Sequence, residues 1–382
     1  DLERAQNGKY VPMLDGVRGL AILAVLLYHG VLYSGSRSSH FIDQSLRDLV
    51  SVGWAGVDLF FVLSGFLITG ILLDSRTSPT YYRSFYARRV LRIFPLYFAF
   101  LAGFIFVLPL VGRWDSMVEA VRQNQVWYWT YLVNWRIGLQ GWSEFFELGH
   151  FWSLAVEEQF YMVWPFVVLT FRPATLAKIC IACVVGALAL RVWLVFSGYP
   201  IGAYVLTPCR LDALSLGALL AIGVRNPASH AILARFAPRV LVVCFVAIAS
   251  IFVLNRSFWP TGAVTLTLGL SIVALASASL MATLLFRPEA RWLAGFFRSS
   301  PMRFLGKYSY GIYVIHHPVI IMLGRSRLGG AEWRQFGDTE IMGQLLAVTL
   351  GIGLSVGLAL TSWYLLETPF LRLKSKFPYR TS

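Results

Sequence analysis

Apolar stretches of roughly 20 residues recur along almost the whole chain, and nothing else restricts its folding as strongly. Ten can be marked, at 14–33, 52–73, 93–111, 149–170, 177–197, 210–224, 238–254, 262–286, 304–324 and 343–366. About 20 helical residues rise roughly 30 Å, the depth of a bilayer's hydrocarbon core. Lipid offers backbone groups no hydrogen bonds, so repeated spans of this length must be helices. The expected fold class is therefore all-α: a polytopic membrane helical bundle of about ten transmembrane helices. Composition agrees with a membrane chain. Only 14% of residues are charged and mean hydropathy is +0.64, against about 25% charged in ordinary soluble domains. A cytosolic enzyme, a secreted disulfide scaffold and a disordered chain are excluded. The spans follow one another from residue 14 to residue 366, so a single integral membrane domain over 1–382 is expected, with no soluble appended domain.

Lys and Arg set the orientation. With the N-terminus inside, 21 of the 33 basic residues fall in inside segments and 10 in outside segments. Both termini are expected to be cytoplasmic, in a multi-pass protein of the cell inner (plasma) membrane. The net charge of +14 then belongs to cytoplasmic loops, and with no soluble basic module nucleic acid is excluded as a partner. Cys180, Cys183, Cys209 and Cys244 lie in or beside apolar segments. No second Cys/His pair stands at metal spacing, so neither a metal nor a disulfide is expected.

Charge inside a membrane costs about 2.5–3.5 kcal/mol per group on insertion scales, so each buried ionisable residue is a candidate for function. The first span holds Asp15, Arg18 and His29. At about 100° and 1.5 Å per residue, Arg18 and His29 lie within about 20° of one face and about 16 Å apart along it. His29 is the natural proton acceptor near neutral pH. In the fourth span His150, Ser153, Glu157 and Tyr161 form one polar stripe at steps of 3, 4 and 4. That favours Glu157 for the interior and leaves Glu158 to pair with a basic residue. Asp58, entering the second span from the outer side, is placed to meet Arg210, whereas Arg210 and Asp212 read as a local pair. Arg88, Arg89 and Arg92 stand in the basic 74–92 connection. Arg89 and Arg92 share a helix face suited to phosphate, although topology or anionic lipid would also explain the charge. His316 and His317 precede Pro318 and read as the outer end of a cavity. The aromatic run Trp127, Tyr128, Trp129 and Tyr131 reads as interfacial or re-entrant.

These residues describe an in-membrane cavity with arginines at its mouth and a His/Glu pair deeper in. Five ordered segments carry a closer likeness: Tyr10–Ala21 around Asp15 and Arg18, Gly56–Phe66, Tyr86–Pro95, Trp152–Tyr161 and Ser309–His316. Together they resemble the acyltransferase-3 family of integral membrane acyltransferases over nearly the whole chain. The resemblance implies transfer of an acyl group, usually acetyl, from cytosolic acyl-CoA (acetyl-CoA) to a hydroxyl of a cell-surface or exported glycan. A small metabolite or antibiotic is the alternative acceptor. The family's R-x10-H pattern falls on Arg18 and His29, and its R-x-x-R pattern on Arg89 and Arg92.

On this reading Arg88, Arg89 and Arg92 bind the donor's phosphates and Arg18 guides the thioester. His29 is the base, and Glu157 or Glu158 orients it. Asp58, Ser153, Tyr161, Arg210, Asp212 and His316 line the substrate cavity. Direct transfer and an acyl-enzyme on Ser64 or Ser153 are both open. Lipid bilayer and a hydroxyl acceptor are the expected partners, and the oligomeric state is not legible. Two other readings stand: a proton-coupled membrane transporter, against which no internal repeat is found, and a subunit that gates acyl passage for a partner.

Overall fold

The computed structural model describes residues 2–6, 10–33, 40–111, 115–142, 147–287, 290–325 and 339–379. Ten long helices appear among the described residues: α1 (Pro12–Leu32), α2 (Ala55–Asp74), α3 (Tyr81–Ala102), α4 (Phe151–Thr170), α5 (Pro173–Phe196), α6 (Thr207–Arg225), α7 (Pro227–Asn255), α8 (Leu270–Phe286), α9 (Ser300–Arg325) and α10 (Ile341–Ser362). Several start as their sequence dictates. Proline opens α1, α5 and α7, where its missing N–H costs nothing, and the Asn226 side chain caps α7 by accepting from the Ala228 N–H at 3.2 Å.

Eight spans among the described residues are long and apolar enough to cross a membrane. The two remaining long helices are α4 and α9, of 20 and 26 residues. Polar residues keep them off that count: Glu157, Glu158 and Gln159 in α4, Lys307, His316 and His317 in α9. Such residues are tolerated where neighbouring helices screen them from lipid: Glu158, His316 and His317 are buried, whereas Lys307 is exposed in the first turns of α9. A polytopic all-α membrane bundle results. One boundary differs from expectation: α3 already begins at Tyr81, so Arg83, Arg88, Arg89 and Arg92 ride on a helix rather than a connection.

Burial sorts the helices into an inner group and an outer group. The apolar window containing α2 is 78% buried, whereas that of α7 is 17% buried and presents Val242, Val243, Phe245 and Val246 outward. Between helices in lipid there is no hydrophobic drive, so close backbone approach must hold the inner group together. Glycine supplies it at two crossings. A Cβ on Gly306 of α9 would lie 1.7 Å from the Asp15 carbonyl oxygen of α1, and one on Gly217 of α6 would lie 2.0 Å from the Val62 carbonyl oxygen of α2. The α1–α9 crossing carries His29 and His316 into register.

Two buried ion pairs tie the inner helices. Arg210 of α6 meets Asp58 of α2 at 2.5 Å, and Arg191 of α5 meets Asp212 of α6 at 2.8 Å. The expected local pair of Arg210 with Asp212 is therefore corrected: positions two apart on a helix point about 200° from each other, so each residue pairs across helices. Asp58 does meet Arg210. The Arg210 guanidinium is also surrounded by the rings of Phe61, Trp152 and Tyr204, 5.5–5.7 Å from its carbon, an aromatic enclosure that suits a desolvated cation.

Candidate active site

Two cavities among the described residues concern the site. The first gathers Arg18 of α1, Ser64 of α2, Arg89 and Arg92 of α3, Ser153, Glu157, Glu158 and Tyr161 of α4, and Ser309, Tyr310 and Tyr313 of α9. The second is lined by His29 of α1 and Tyr33 just beyond it, His150 and Trp152 at the start of α4, Trp54, Trp142, Tyr204, Trp259, and Tyr313 and His317 of α9. Among the described residues, only Val57 and Tyr313 line both. Val57 and Tyr313, whose hydroxyl lies 2.5 Å from that of Ser153, therefore mark the partition between the cavities.

In the first cavity the arginines divide. On a helix Arg92 lies about 40° from Arg88 and about 60° from Arg89, on the arc between them. The cavity takes the Arg89 side of that arc. Arg88 donates instead to the carbonyls of Lys374 and Phe377 at 3.2 and 3.3 Å and sits over the Tyr379 ring. The expectation that Arg88 lines the mouth is corrected: the C-terminal segment occupies it. Arg18 pairs with Asp15 at 3.0 Å, and Asp15 in turn accepts from the Tyr10 hydroxyl.

Both glutamates line this cavity, and Glu158 forms no ion pair among the described residues. Its Oε1 is buried and has no hydrogen-bond partner among the described residues. A bare buried carboxylate oxygen costs free energy unless something donates to it, so a cavity occupant with N–H or O–H groups would be held here. Tyr161 and Ser64 join their hydroxyls across the same wall.

The second cavity is built on histidine. The His29 Nδ1 is 2.9 Å from the His316 Nε2, whose own Nδ1 donates to the Tyr313 carbonyl at 2.7 Å. The His317 Nδ1 donates to the Glu147 carbonyl at 2.9 Å, and its ring stands 4.8 Å from His29 and 4.7 Å from His150. Pro318 explains the fourth member. Lacking an N–H, it leaves the Val314 carbonyl four residues back without a helical donor, and the His150 Nε2 donates there at 3.2 Å.

The pairing of His29 with Glu157 or Glu158 is thus corrected. The glutamates lie about 10 Å further along α4 than His150, in the other cavity, and His316 is the side chain that His29 meets. Asp58, Arg210, Asp212 and His316 line neither cavity; the first three are at most 1% exposed and serve the ion pairs that hold α2, α5 and α6, and His316 is fully buried against His29. The aromatic run also differs from an interfacial girdle. Tyr128 and Tyr131 are buried, with Tyr131 in a left-handed conformation (φ 55°) stacked 4.3 Å from Tyr97, while Trp142 is the member of this region that reaches the second cavity. Sequence reasoning undervalued Tyr313, His150 and His317. The signal for His150 was present, since an interior proline announces a free carbonyl, but only packing identifies the donor that reaches it.

A family model described as an acyltransferase domain, that of the acyltransferase-3 family, matches residues 11–364. The chain belongs to that family. Among curated relatives, the peptidoglycan O-acetyltransferase OatA of Listeria monocytogenes is 30% identical over 335 residues, 82% of this chain and 50% of the relative. The putative peptidoglycan O-acetyltransferase YrhL of Bacillus subtilis is 28% identical over 84% of this chain and 50% of its own length. The O-acetyltransferase OatA of Staphylococcus aureus is 27% identical over 84% and 52% respectively. The chain spans about half the length of the curated relatives it matches. No solved structure matches it.

Proposed function

We propose that this chain is a membrane O-acyltransferase that moves an acyl group, acetyl in the simplest case, from acyl-CoA to a hydroxyl of a cell-wall glycan such as peptidoglycan. The plasma membrane is its location, with the arginine-rich end and both termini in the cytoplasm. The observation that carries this reading is the meeting of two chemically opposite cavities at one thin partition. On one side are three guanidinium groups, suited to a polyphosphate donor. On the other are an imidazole and a wall of tryptophan and tyrosine, suited to stacking on sugar rings. The acceptor class follows the names of the relatives; the donor class follows the guanidinium cluster.

Arg18, Arg89 and Arg92 fit a donor rich in phosphate, and the unsatisfied Oε1 of Glu158 fits the amide N–H groups of its arm. The acyl end then reaches the partition at Val57, Ser153 and Tyr313. His29 removes the proton from the acceptor hydroxyl as that oxygen attacks the thioester carbonyl. The carbon–sulfur bond breaks, and the proton leaves the His29 imidazolium for the departing thiolate, so the histidine ends neutral. Direct transfer of this kind needs the Ser153–Tyr313 hydrogen bond to part.

His29→Ala in membranes supplied with radiolabelled acetyl-CoA and peptidoglycan fragments tests the assignment. Loss of label transfer by about 10²–10⁴-fold is expected for removal of a general base. Wild-type transfer by that variant would end the catalytic role of His29, and solute flux without any label on the acceptor would favour a carrier instead.

A further inference from the structure

We infer that His316 is a positioning residue that sets the proton tautomer of His29, with the backbone carbonyl of Tyr313 as the fixed end of the relay. This rests on the reading of His29 as the base. One atom of the relay has a role that is not adjustable. A backbone carbonyl oxygen only accepts, so the nitrogen 2.7 Å from the Tyr313 oxygen, the His316 Nδ1, must carry hydrogen. A neutral imidazole has one N–H, which leaves the His316 Nε2 as a lone pair. That lone pair lies 2.9 Å from the His29 Nδ1, so the hydrogen between the two rings belongs to His29. The His29 Nε2 is then the bare nitrogen on a ring that lines the second cavity, which is where a base is required.

The relay needs His316 to stay neutral, and its surroundings favour that. His316 is fully buried, and among the described residues no carboxylate pairs with it. A charged ring there would be an uncompensated ion in a membrane interior. The geometry holds because two independent features fix the His316 ring. Its Nδ1 is tied to its own helix three residues back, and α9 is pressed against α1 where Gly306 admits the Asp15 carbonyl. The usual partner for a catalytic histidine is a carboxylate, which orients the ring and offsets its charge. Here a neutral ring and a carbonyl do the orienting without placing a negative charge in the membrane. When His29 takes a proton, the His316 Nε2 still accepts from its Nδ1, so the transient imidazolium is held by a hydrogen bond rather than an ion pair.

The test has two arms. In the first, wild-type protein labelled with ¹⁵N-histidine in lipid bilayers is compared with His29→Gln, so that the His29 signals are assigned by difference. Solid-state NMR is expected to show hydrogen on the His29 Nδ1 and none on Nε2; the opposite tautomer would overturn the inference, whatever the activity. In the second, His316→Leu removes the acceptor and His316→Gln returns one in its amide oxygen. Acetyl transfer from acetyl-CoA to peptidoglycan fragments is expected to fall in kcat by roughly 10–10²-fold in His316→Leu, with donor KM changed by less than about two-fold, and to recover most of its rate in His316→Gln. Equal kcat for His316→Leu and wild type would remove the positioning role while leaving the base reading intact. Full activity in His29→Ala would remove the base reading and leave the tautomer to stand or fall on the spectrum. If His316→Leu does not fold, the spectrum of the wild-type protein decides alone.

Discussion

Single side chains in this protein take their roles from which cavity their helix turns them toward. Arg88 and Arg89 are neighbours in sequence, yet one serves the C-terminal segment and the other a cavity wall. The two are therefore separable by mutation. Arg89→Ala, alone or with Arg92→Ala, is expected to weaken acetyl-CoA binding by about 10–100-fold per guanidinium, the value of a charge-assisted hydrogen bond of about 1.5–3 kcal/mol. Arg88→Ala should leave binding within about two-fold and instead free the C-terminal segment, seen as faster proteolysis near Lys374. Isothermal titration of detergent-solubilised protein with acetyl-CoA measures the first effect. Equal losses for Arg88 and Arg89 would return the cluster to a diffuse positive surface.

At the scale of helices, two devices fix the site: small residues where backbones cross and buried charge where inner helices meet. Removing one partner of a buried ion pair strands the other at a cost of about 3–5 kcal/mol. Asp58→Ala, which leaves Arg210 buried and uncompensated, should accordingly lower thermal stability in detergent much more than replacing both Asp58 and Arg210 by apolar residues of similar volume. A double variant as unstable as the single one would mean that the pair itself, rather than the stranded charge, sets the cost. Gly306→Val tests the other device. The new side chain would have to displace the Asp15 carbonyl, so α1 and α9 must separate. Acetyl transfer is expected to drop by at least tenfold through loss of the His29–His316 register, with acetyl-CoA binding less affected, because three of the cavity's donor-facing residues sit on α3 and α4. Nothing local in the sequence pairs Gly306 with Asp15, which are 291 positions apart.

For the molecule as a whole, the histidine and arginine cavities define opposite ends, and the proposed topology, drawn from the bias of Lys and Arg, puts the arginine end in the cytoplasm. Single-cysteine variants on a background with Cys180, Cys183, Cys209 and Cys244 replaced check this directly. Leu139→Cys lies at the histidine end and Lys376→Cys at the arginine end, and both positions are exposed. A membrane-impermeant maleimide applied to intact spheroplasts should label Leu139→Cys and reach Lys376→Cys only after lysis. The reverse pattern would invert the proposed direction of transfer.

Hydrophobic periodicity and span length were enough to establish an all-α bundle with about ten long helices, since lipid leaves the backbone no other way to satisfy its hydrogen bonds. The Arg18–His29 spacing, the polar stripe of α4 and the ordered family segments were equally legible, because each depends on contacts within one helix or on residue order. What the chain alone left open was every relation between helices. Arg18 and His29 share a stripe but line different cavities, with Val57 of α2 and Tyr313 of α9 at the boundary between them. His29 meets a histidine rather than a glutamate, because α9 and not the middle of α4 packs beside its ring. Rotation and depth of one helix against another are set by side-chain fit summed over a whole interface, and no local pattern in a sequence encodes that sum.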